Sequence, residues 1–219
     1  SDMSNTHKAL KERQRAERDS HPESIALRIH RALSWLDRAE QCEDDDGRFI
    51  FLWIAFNAAY ANDLGEMGHM AQQKVFRHFI QRLVDLDQEE GLYSLVWTEF
   101  TSSFRVLLDN EYGFGPFWDF QRGNLSEEEW QASFTKAKEA ANAALANHDT
   151  ASVLSIVFSR LYILRNQLVH GAATWNGSVN RDQLRDSANI LGKVVPQVIK
   201  ILLDHPRELW GDAMYPVVS

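Results

Sequence analysis

Residues 48–62 read RFIFLWIAFNAAYAN, a stretch that is apolar on nearly every side of a helix. In a globular protein, a helix with this pattern is packed by other elements on several sides. The stretch is also shorter than the roughly 20 apolar residues that a membrane-spanning helix needs. We therefore predict that it forms the central helix of a folded core.

The segments on either side of this stretch also show helical spacing of apolar residues, and none alternates as a β-strand would. A helix is expected to open at His21 and to end in the acidic run before Gly47. Further helices are predicted over residues 70–86, 92–108, 126–146, 150–170 and 180–203, the last with Pro196 in its interior. The fold class is therefore all-α, a bundle of about six to seven helices.

One segment between these helices has a different composition. Residues 110–124 contain three glycines, one proline and five aromatic residues, which predicts a structured aromatic loop. Its rings could stack on nucleic-acid bases, but aromatic loops more often close a core or a subunit interface. Both interpretations stay open from sequence.

The length of 219 residues suits one sizeable core. We predict one domain over residues 21–205, a charged lead at 1–20 and an irregular tail at 206–219. Ser1 and Asp2, before Met3, are typical of a cleaved expression tag. No leader peptide or membrane-length apolar run is evident, so the expected location is cytoplasmic.

Charge is unevenly distributed along the chain. The net charge of −8 argues against broad nonspecific binding to nucleic acid, which depends on Lys and Arg. Residues 151–203, however, carry six basic and only two acidic side chains. A local basic site is therefore expected in the C-terminal third, and three of its arginines, Arg160, Arg181 and Arg185, are predicted to bind substrate.

Polar residues interrupt an apolar helix in this basic region. Residues 163–172 read ILRNQLVHGA, and Gly171 stands where a left-handed helix cap is expected. At about 100° per residue, Arg165, Asn166 and His170 fall within an arc of roughly 140°. The arginine fork suits phosphate oxygens, and histidine can exchange a proton near neutral pH. Together with an orienting amide, they predict a phosphodiester site that needs no metal or cofactor.

This arrangement resembles a known family. The pattern R-N-x-x-x-H at residues 165–170, placed near the end of a late helix in an all-α bundle with a core helix FLWIAFNAAY, is similar to the HEPN domain superfamily, including its Apea-like bacterial members. The resemblance covers residues 25–203. The six-residue pattern alone is weak, and its position in the bundle makes it more specific.

The resemblance implies an endoribonuclease that acts as a homodimer without a metal. In that family context, His170 would be the general acid or base for attack of the ribose 2′-hydroxyl, which leaves a 2′,3′-cyclic phosphate. Arg165 would stabilise the phosphate, and Asn166 would orient the histidine or the substrate. The family includes toxins, phage-defence proteins and noncatalytic RNA binders, so RNA, a second copy and an antitoxin or other protein are the expected partners.

Less specific features leave alternatives. Asn57, an amide within the apolar helix, predicts either a structural hydrogen bond or a supporting role at the site. His69 and His78 lack ligand spacing, and the acidic run 44–46 lacks the glycine and glutamate of a calcium loop, so no metal is expected. The run is interpreted as a solvated connection.

The alternative function is a noncatalytic helical module that binds RNA, a nucleotide or a partner protein. In that case His170 is a cation at a helix C-terminus, Asn166 a satisfied polar group and Arg165 a surface ion-pair partner. The net negative charge is in keeping with this alternative.

Overall fold

The computed structural model describes residues 6–61, 70–171, 174–178, 180–208 and 210. These residues contain ten α-helices and no β-strand. The helices are α1 (His7–Glu17), α2 (Glu23–Glu40), α3 (Asp45–Tyr60), α4 (Met70–Leu86), α5 (Gly91–Ser94), α6 (Thr101–Asp109), α7 (Gly115–Gln121), α8 (Glu127–Ala146), α9 (Thr150–Val169) and α10 (Arg181–Asp204). The all-α bundle is confirmed, with more helices than the six to seven predicted.

The apolar stretch at residues 48–62 provides the central helix, α3. It packs on α2, α9 and α10. Phe56 is fully buried and lies 4.3 Å, centroid to centroid, from Phe158 of α9, while Trp53 lies 6.2 Å from the same ring. Burying a ring of this size stabilises the fold by roughly 1.5–3 kcal/mol, so this aromatic contact is a main link between α3 and the helix that carries the motif.

The start of α3 departs from the sequence-based prediction. Gly47 does not end a helix; it lies in the first turn of α3, where its N–H donates to the carboxylate of the N-cap residue Asp44 at 2.8 Å. Asp46 is only 6% exposed and pairs with Arg181 at 2.8 Å. Carboxylates are stabilising at a helix N-terminus, because free N–H groups and the helix dipole favour negative charge there. The acidic run is therefore structural, and the prediction of a solvated connection was wrong.

The region from residue 91 to 124 departs from the prediction in two places. The helix predicted over 92–108 is divided into α5 and α6 by a π-helical turn, in which the N–H of Phe100 bonds to the carbonyl of Leu95 at 3.0 Å. The predicted aromatic loop contains a 3₁₀ turn, Glu111–Gly113, followed by α7. Pro116 is compatible with α7 because it stands in the first turn, where an N–H has no helical partner.

Other helix boundaries agree with the predicted signals. The bounds of α4 coincide with those predicted, and α8 opens with the predicted capping box between Ser126 and Glu129. Asp149 caps α9, and Gly171 follows it with a φ of +71°. The last helix, α10, runs through Pro196. The predicted order of helices in the C-terminal half is thus confirmed.

Both ends of the described chain pack against the bundle. Within the predicted lead, α1 packs on α2 and α10 and buries Leu10. Near the other end, Trp210 is buried and its carbonyl accepts a 2.7 Å hydrogen bond from Arg28. Residues 211–219 of the predicted tail lie outside the described residues. Among the helices described, none has the length and hydropathy to cross a bilayer.

Candidate functional site

The last two turns of α9 hold the three motif residues. Leu161 and Leu164 fasten this part of the helix to the core, since both are buried. Of the motif residues, Arg165 and Asn166 are half-buried and His170 is exposed. At 100° per residue, Asn166 and His170 point away from the two buried leucines, while Arg165 lies at the edge of the buried side.

Arg165 and Asn166 are directly connected. Arg165 Nη1 donates a 2.8 Å hydrogen bond to Asn166 Oδ1. No carboxylate of the described residues pairs with Arg165, so its positive charge is not neutralised within this part of the chain. Such a guanidinium, held by a neighbouring amide, is suited to binding a phosphate oxygen.

His170 is the C-cap residue of α9. Its backbone N–H bonds to the carbonyl of Asn166 at 3.0 Å, and the N–H of Gly171 bonds to the carbonyl of Leu168 at 3.3 Å. These bonds fix the backbone position of His170 at the helix end. Among the described residues, no side chain hydrogen-bonds to its imidazole, and the residue is exposed.

The segment that follows the motif is fastened to the start of α3. Trp175 Nε1 donates to Asp44 Oδ2 at 3.1 Å, and the backbone N–H of Asn176 donates to Asp46. Arg181 donates to the same Asp46 carboxylate and, through Nε, to the carbonyl of Gly177 at 2.8 Å. All three guanidinium nitrogens of Arg181 thus bond within the chain. These contacts make Arg181 a loop-fastening residue, and its substrate-binding role stays a prediction.

A cavity of about 560 Å³ opens between this segment and α3. Its apolar walls include Phe51, Leu168, Val169 and Trp175. Val169 is 50% exposed and Trp175 is 74% exposed, both immediately beside the motif. Sequence analysis missed this surface. Phe51 and Trp175 are far apart in the chain, and only tertiary contacts bring them to one cavity.

The other two predicted substrate-binding arginines lie in contrasting environments. Arg185 is exposed on α10 and pairs with its helix neighbours Asp182 and Asp186. Arg160 is only 5% exposed, and its guanidinium carbon lies 5.0 Å from the centroid of the Phe114 ring. Neither contacts the motif side chains through a described hydrogen bond, so the structure does not gather these arginines into one basic surface with Arg165.

Asn57 lies at a distance from the motif. Asn57 directly follows Phe56 in α3, and Phe56 contacts Phe158 in the middle of α9. The motif end of α9 instead lines a cavity together with Ile50, seven residues before Asn57 in α3. At 1.5 Å per residue, Asn166 is about 12 Å further along α9 than Phe158. Asn57 Oδ1 is buried without a hydrogen-bond partner among the described residues. Its supporting role at the site stays a prediction, because among the described residues no hydrogen bond joins Asn57 to the motif side chains.

The aromatic segment closes against α8. Phe114 lies 5.1 Å from Phe134, and Phe117 lies 5.1 Å from Trp130 in an edge-to-face arrangement. These rings therefore serve packing, the second of the two interpretations left open by sequence. In the described part of the chain, no three His, Cys, Asp or Glu side chains converge as metal ligands would. His78 is exposed on α4, and His69 lies outside the described residues.

No family model, no curated protein and no solved structure matches this chain. The function must therefore be argued from the geometry of the site itself.

The arrangement at the end of α9 supplies two chemical capacities. Arg165, braced by Asn166, provides a fixed positive charge with donors for an oxyanion. His170, four residues beyond Asn166 on the same side of the helix, provides a group able to accept or donate a proton. Phosphodiester cleavage by general acid–base catalysis needs both capacities within reach of one substrate.

Proposed function

We propose that the chain is a metal-independent endoribonuclease of the HEPN type, with Arg165, Asn166 and His170 as its catalytic residues. The observation that carries this proposal is the outward-facing end of α9, where a guanidinium without a carboxylate partner among the described residues precedes an accessible imidazole by five residues.

The proposed reaction uses the RNA's own hydroxyl as nucleophile. A base removes the 2′-hydroxyl proton, the 2′-oxygen bonds to the adjacent phosphorus, and the bond from phosphorus to the 5′-oxygen breaks. The departing oxygen takes a proton, which gives a 5′-hydroxyl end and a 2′,3′-cyclic phosphate. Arg165 stabilises the negative charge on the phosphate oxygens during this exchange. DNA is not a substrate for this reaction because it lacks the 2′-hydroxyl.

A second copy of the chain completes the proposed site. In-line displacement places the attacking and departing oxygens on opposite sides of phosphorus, so one imidazole cannot serve both at once. Two copies joined near α9 would supply two imidazoles to one phosphate. The exposed apolar side chains of Val169 and Trp175 beside the motif support burial against another protein surface.

One observation favours the alternative, a noncatalytic module that binds RNA, a nucleotide or a protein. Among the described residues, no hydrogen bond orients the His170 imidazole, whereas catalytic histidines are commonly held by a partner. In this alternative, Arg165 still binds phosphate but no bond is broken.

The test is cleavage of a labelled RNA by purified protein in the presence of a chelator. We expect wild type and His78→Ala to cleave the RNA, and His170→Ala and Arg165→Ala to lose at least about 100-fold in rate. His78 is the matched control because it is an exposed helix histidine away from the motif. RNA binding by wild type without cleavage, weakened by Arg165→Ala, would support the noncatalytic module instead.

We also propose a role as a toxin, in phage defence or with an antitoxin protein. Induced expression of wild type should then slow bacterial growth, while expression of His170→Ala at the same level should not. Equal growth of both cultures would contradict the toxin role.

A further inference from the structure

The cavity of about 560 Å³ beside the motif has planar groups in its wall. Phe51 of α3, Trp175 after α9 and Arg38 of α2 all line it. The Arg38 guanidinium lies 4.8 Å from the centroid of the Phe51 ring, in a cation–π contact. The volume falls within the roughly 300–1,000 Å³ that is usual for small-molecule sites. The cavity is therefore suited to a flat ligand that stacks on these groups.

Trp175 is held in a fixed position although 74% of it is exposed. Its indole N–H donates to Asp44 Oδ2 at 3.1 Å, and Asp44 also accepts from the N–H of Gly47 in the first turn of α3. Val169, which is 50% exposed, lines the same cavity. Covering large apolar side chains is favourable, so a fixed ring beside a second exposed apolar group indicates a partner that packs on them.

The cavity borders the motif. Leu168 and Val169 line it, and they follow Arg165 by three and four residues, on the next turn of α9. At 100° per residue, Arg165 lies between the two in angle, about 60° from Leu168 and about 40° from Val169. Helical side chains lean toward the N-terminus, which brings both toward the turn of Arg165. His170 directly follows Val169, so a ligand in the cavity is next to both the cation and the imidazole of the motif.

Two cations at this cavity have no acid to neutralise them. Within the described chain, neither Arg38 nor Arg165 forms an ion pair. The two carboxylates in the cavity wall are already engaged. Asp46 pairs with Arg181 at 2.8 Å, and Asp44 accepts three hydrogen bonds from neighbouring groups. An anion beside a flat ligand would therefore meet guanidinium donors without a carboxylate partner.

A nucleobase with its phosphate matches these features together. Bases stack on aromatic rings and on guanidinium planes, and a phosphate pairs with arginine. An aliphatic ligand of the same volume would fill the cavity but would leave Arg38 and Arg165 without an anion. The combination of planar walls and unpaired cations therefore favours a nucleotide.

We propose that this cavity is a base subsite, in which one base of a single-stranded RNA stacks on Trp175 and Phe51 while the adjacent phosphate reaches Arg165. Arg38 supplies a second positive charge to the bound strand. A base paired in a duplex cannot enter the cavity, so the substrate class is unpaired RNA. The cleavage step rests on the proposed function, whereas binding of the base does not require cleavage. A second copy of the chain is the competing occupant, and it would cover the cavity without RNA.

The first test uses the sole cysteine of the chain, because Cys42 lines the cavity. Burial raises the pKa of the Cys42 thiol, so its alkylation by iodoacetamide is measured at about pH 8.5. A single-stranded RNA with 2′-methoxy groups, which cannot be cleaved, should slow the alkylation about tenfold when present at about ten times its Kd. The same strand without bases, at equal occupancy, should leave the rate nearly unchanged.

Three results of this experiment would overturn the base subsite. Equal protection of Cys42 by both strands would show that the backbone alone covers the cavity. No protection by RNA would show that the cavity stays open. Protection that rises with protein concentration in the absence of RNA would assign the cavity to a second copy of the chain.

Variants of the two rings test the stacking itself. In fluorescence anisotropy with the uncleavable RNA, Trp175→Ala should weaken binding about tenfold, as the loss of one stacked base predicts. Trp175→Phe should keep most of the affinity, and Tyr93→Ala, which removes an exposed ring of α5 outside the cavity wall, should match wild type. Wild type and Trp175→Ala should bind the strand without bases equally. An equal loss on both strands would contradict stacking.

A second ring keeps the test decisive if the segment after α9 rearranges in Trp175→Ala. Phe51→Leu retains an apolar side chain but removes the ring from the cavity wall. It should weaken binding of the strand with bases and leave binding of the strand without bases unchanged. Wild-type affinity of both Phe51→Leu and Trp175→Ala for the strand with bases would overturn the proposal.

Cleavage of RNA separates this inference from the proposed ribonuclease. With cleavable strands that carry one abasic nucleotide at each position in turn, the rate should fall about tenfold only where the abasic nucleotide adjoins the cleaved bond. Equal cleavage for all positions would overturn the subsite and leave the ribonuclease standing. No cleavage by wild type, with base-dependent protection of Cys42, would refute the ribonuclease and support the subsite as part of an RNA-binding module.

Discussion

Arg28→Met should cause a large loss of stability, because Arg28 connects three parts of the bundle from within. Its side chain reaches from α2 to the carbonyls of Ala59 and Tyr60 at the end of α3, and to the carbonyl of Trp210 near the end of the described chain. Methionine fills much of the same volume but donates no hydrogen bond. The substitution therefore tests the donors more than the packing.

The magnitude follows from the three carbonyls left without their donor. A hydrogen bond to a charged group contributes about 1.5–3 kcal/mol, and part of this is offset because the buried charge is also removed. We expect a loss of about 3–5 kcal/mol, which is a large share of the typical 5–15 kcal/mol of a domain. For a chain of this length, the melting temperature should fall by about 10 °C.

Urea unfolding followed by tryptophan fluorescence and far-UV circular dichroism measures this loss. Arg105→Met, an exposed substitution, should stay within about 0.5 kcal/mol of wild type. A loss below about 1 kcal/mol for Arg28→Met would refute the reasoning, since it would mean that water or another group satisfies these carbonyls equally well.

Two further substitutions test local features of the fold. Gly91→Ala should lower the free energy of unfolding in urea by about 1–3 kcal/mol, because its β-carbon would lie 2.4 Å from the side-chain amide carbon of Gln197. The amide nitrogen of Gln197 donates to the buried Asp87, so this side chain cannot move away freely. Gly115→Ala, where the nearest atom is 3.6 Å away, should be tolerated, and equal losses for the two variants would contradict the account. The N–H of Gly47 donates to the Asp44 carboxylate and lowers the pKa of that group in the folded protein. This hydrogen bond therefore stabilises the folded state fully above the pKa of an unfolded Asp, about 3.9, and the stabilisation is lost as the pH falls through the lower pKa of the folded state. The urea midpoint of wild type should therefore fall more steeply on acidification than that of Asp44→Asn, and parallel curves would show that the contact contributes nothing.

Periodicity and capping signals were sufficient to predict much of the helical order. The bounds of α4, the capping box of α8 and the glycine after α9 all follow from local rules that depend on residues within one or two turns. Local rules also explain two of the errors. Gly47 and Pro116 were weighed as helix breakers, although both stand in a first turn, where neither disrupts a helix.

The environment of the candidate site could be predicted only in part. Helical spacing placed Arg165, Asn166 and His170 on one side of α9, as the structure has them. The pairing of Arg181 with Asp46 joins residues 135 positions apart, and the burial of Arg160 depends on the turn before α7. Such contacts between distant segments leave no periodic signal, so Arg160, Arg181 and Arg185 could not be told apart in the sequence.

The chemistry of the RNA ends tests the central proposal most directly. Purified wild type and His170→Ala are incubated with a labelled RNA in chelator, and the products are analysed by mass spectrometry. The account predicts fragments with a 2′,3′-cyclic phosphate and a 5′-hydroxyl from wild type only. Intact RNA with both proteins, or wild-type fragments that carry a 5′-phosphate, would contradict it.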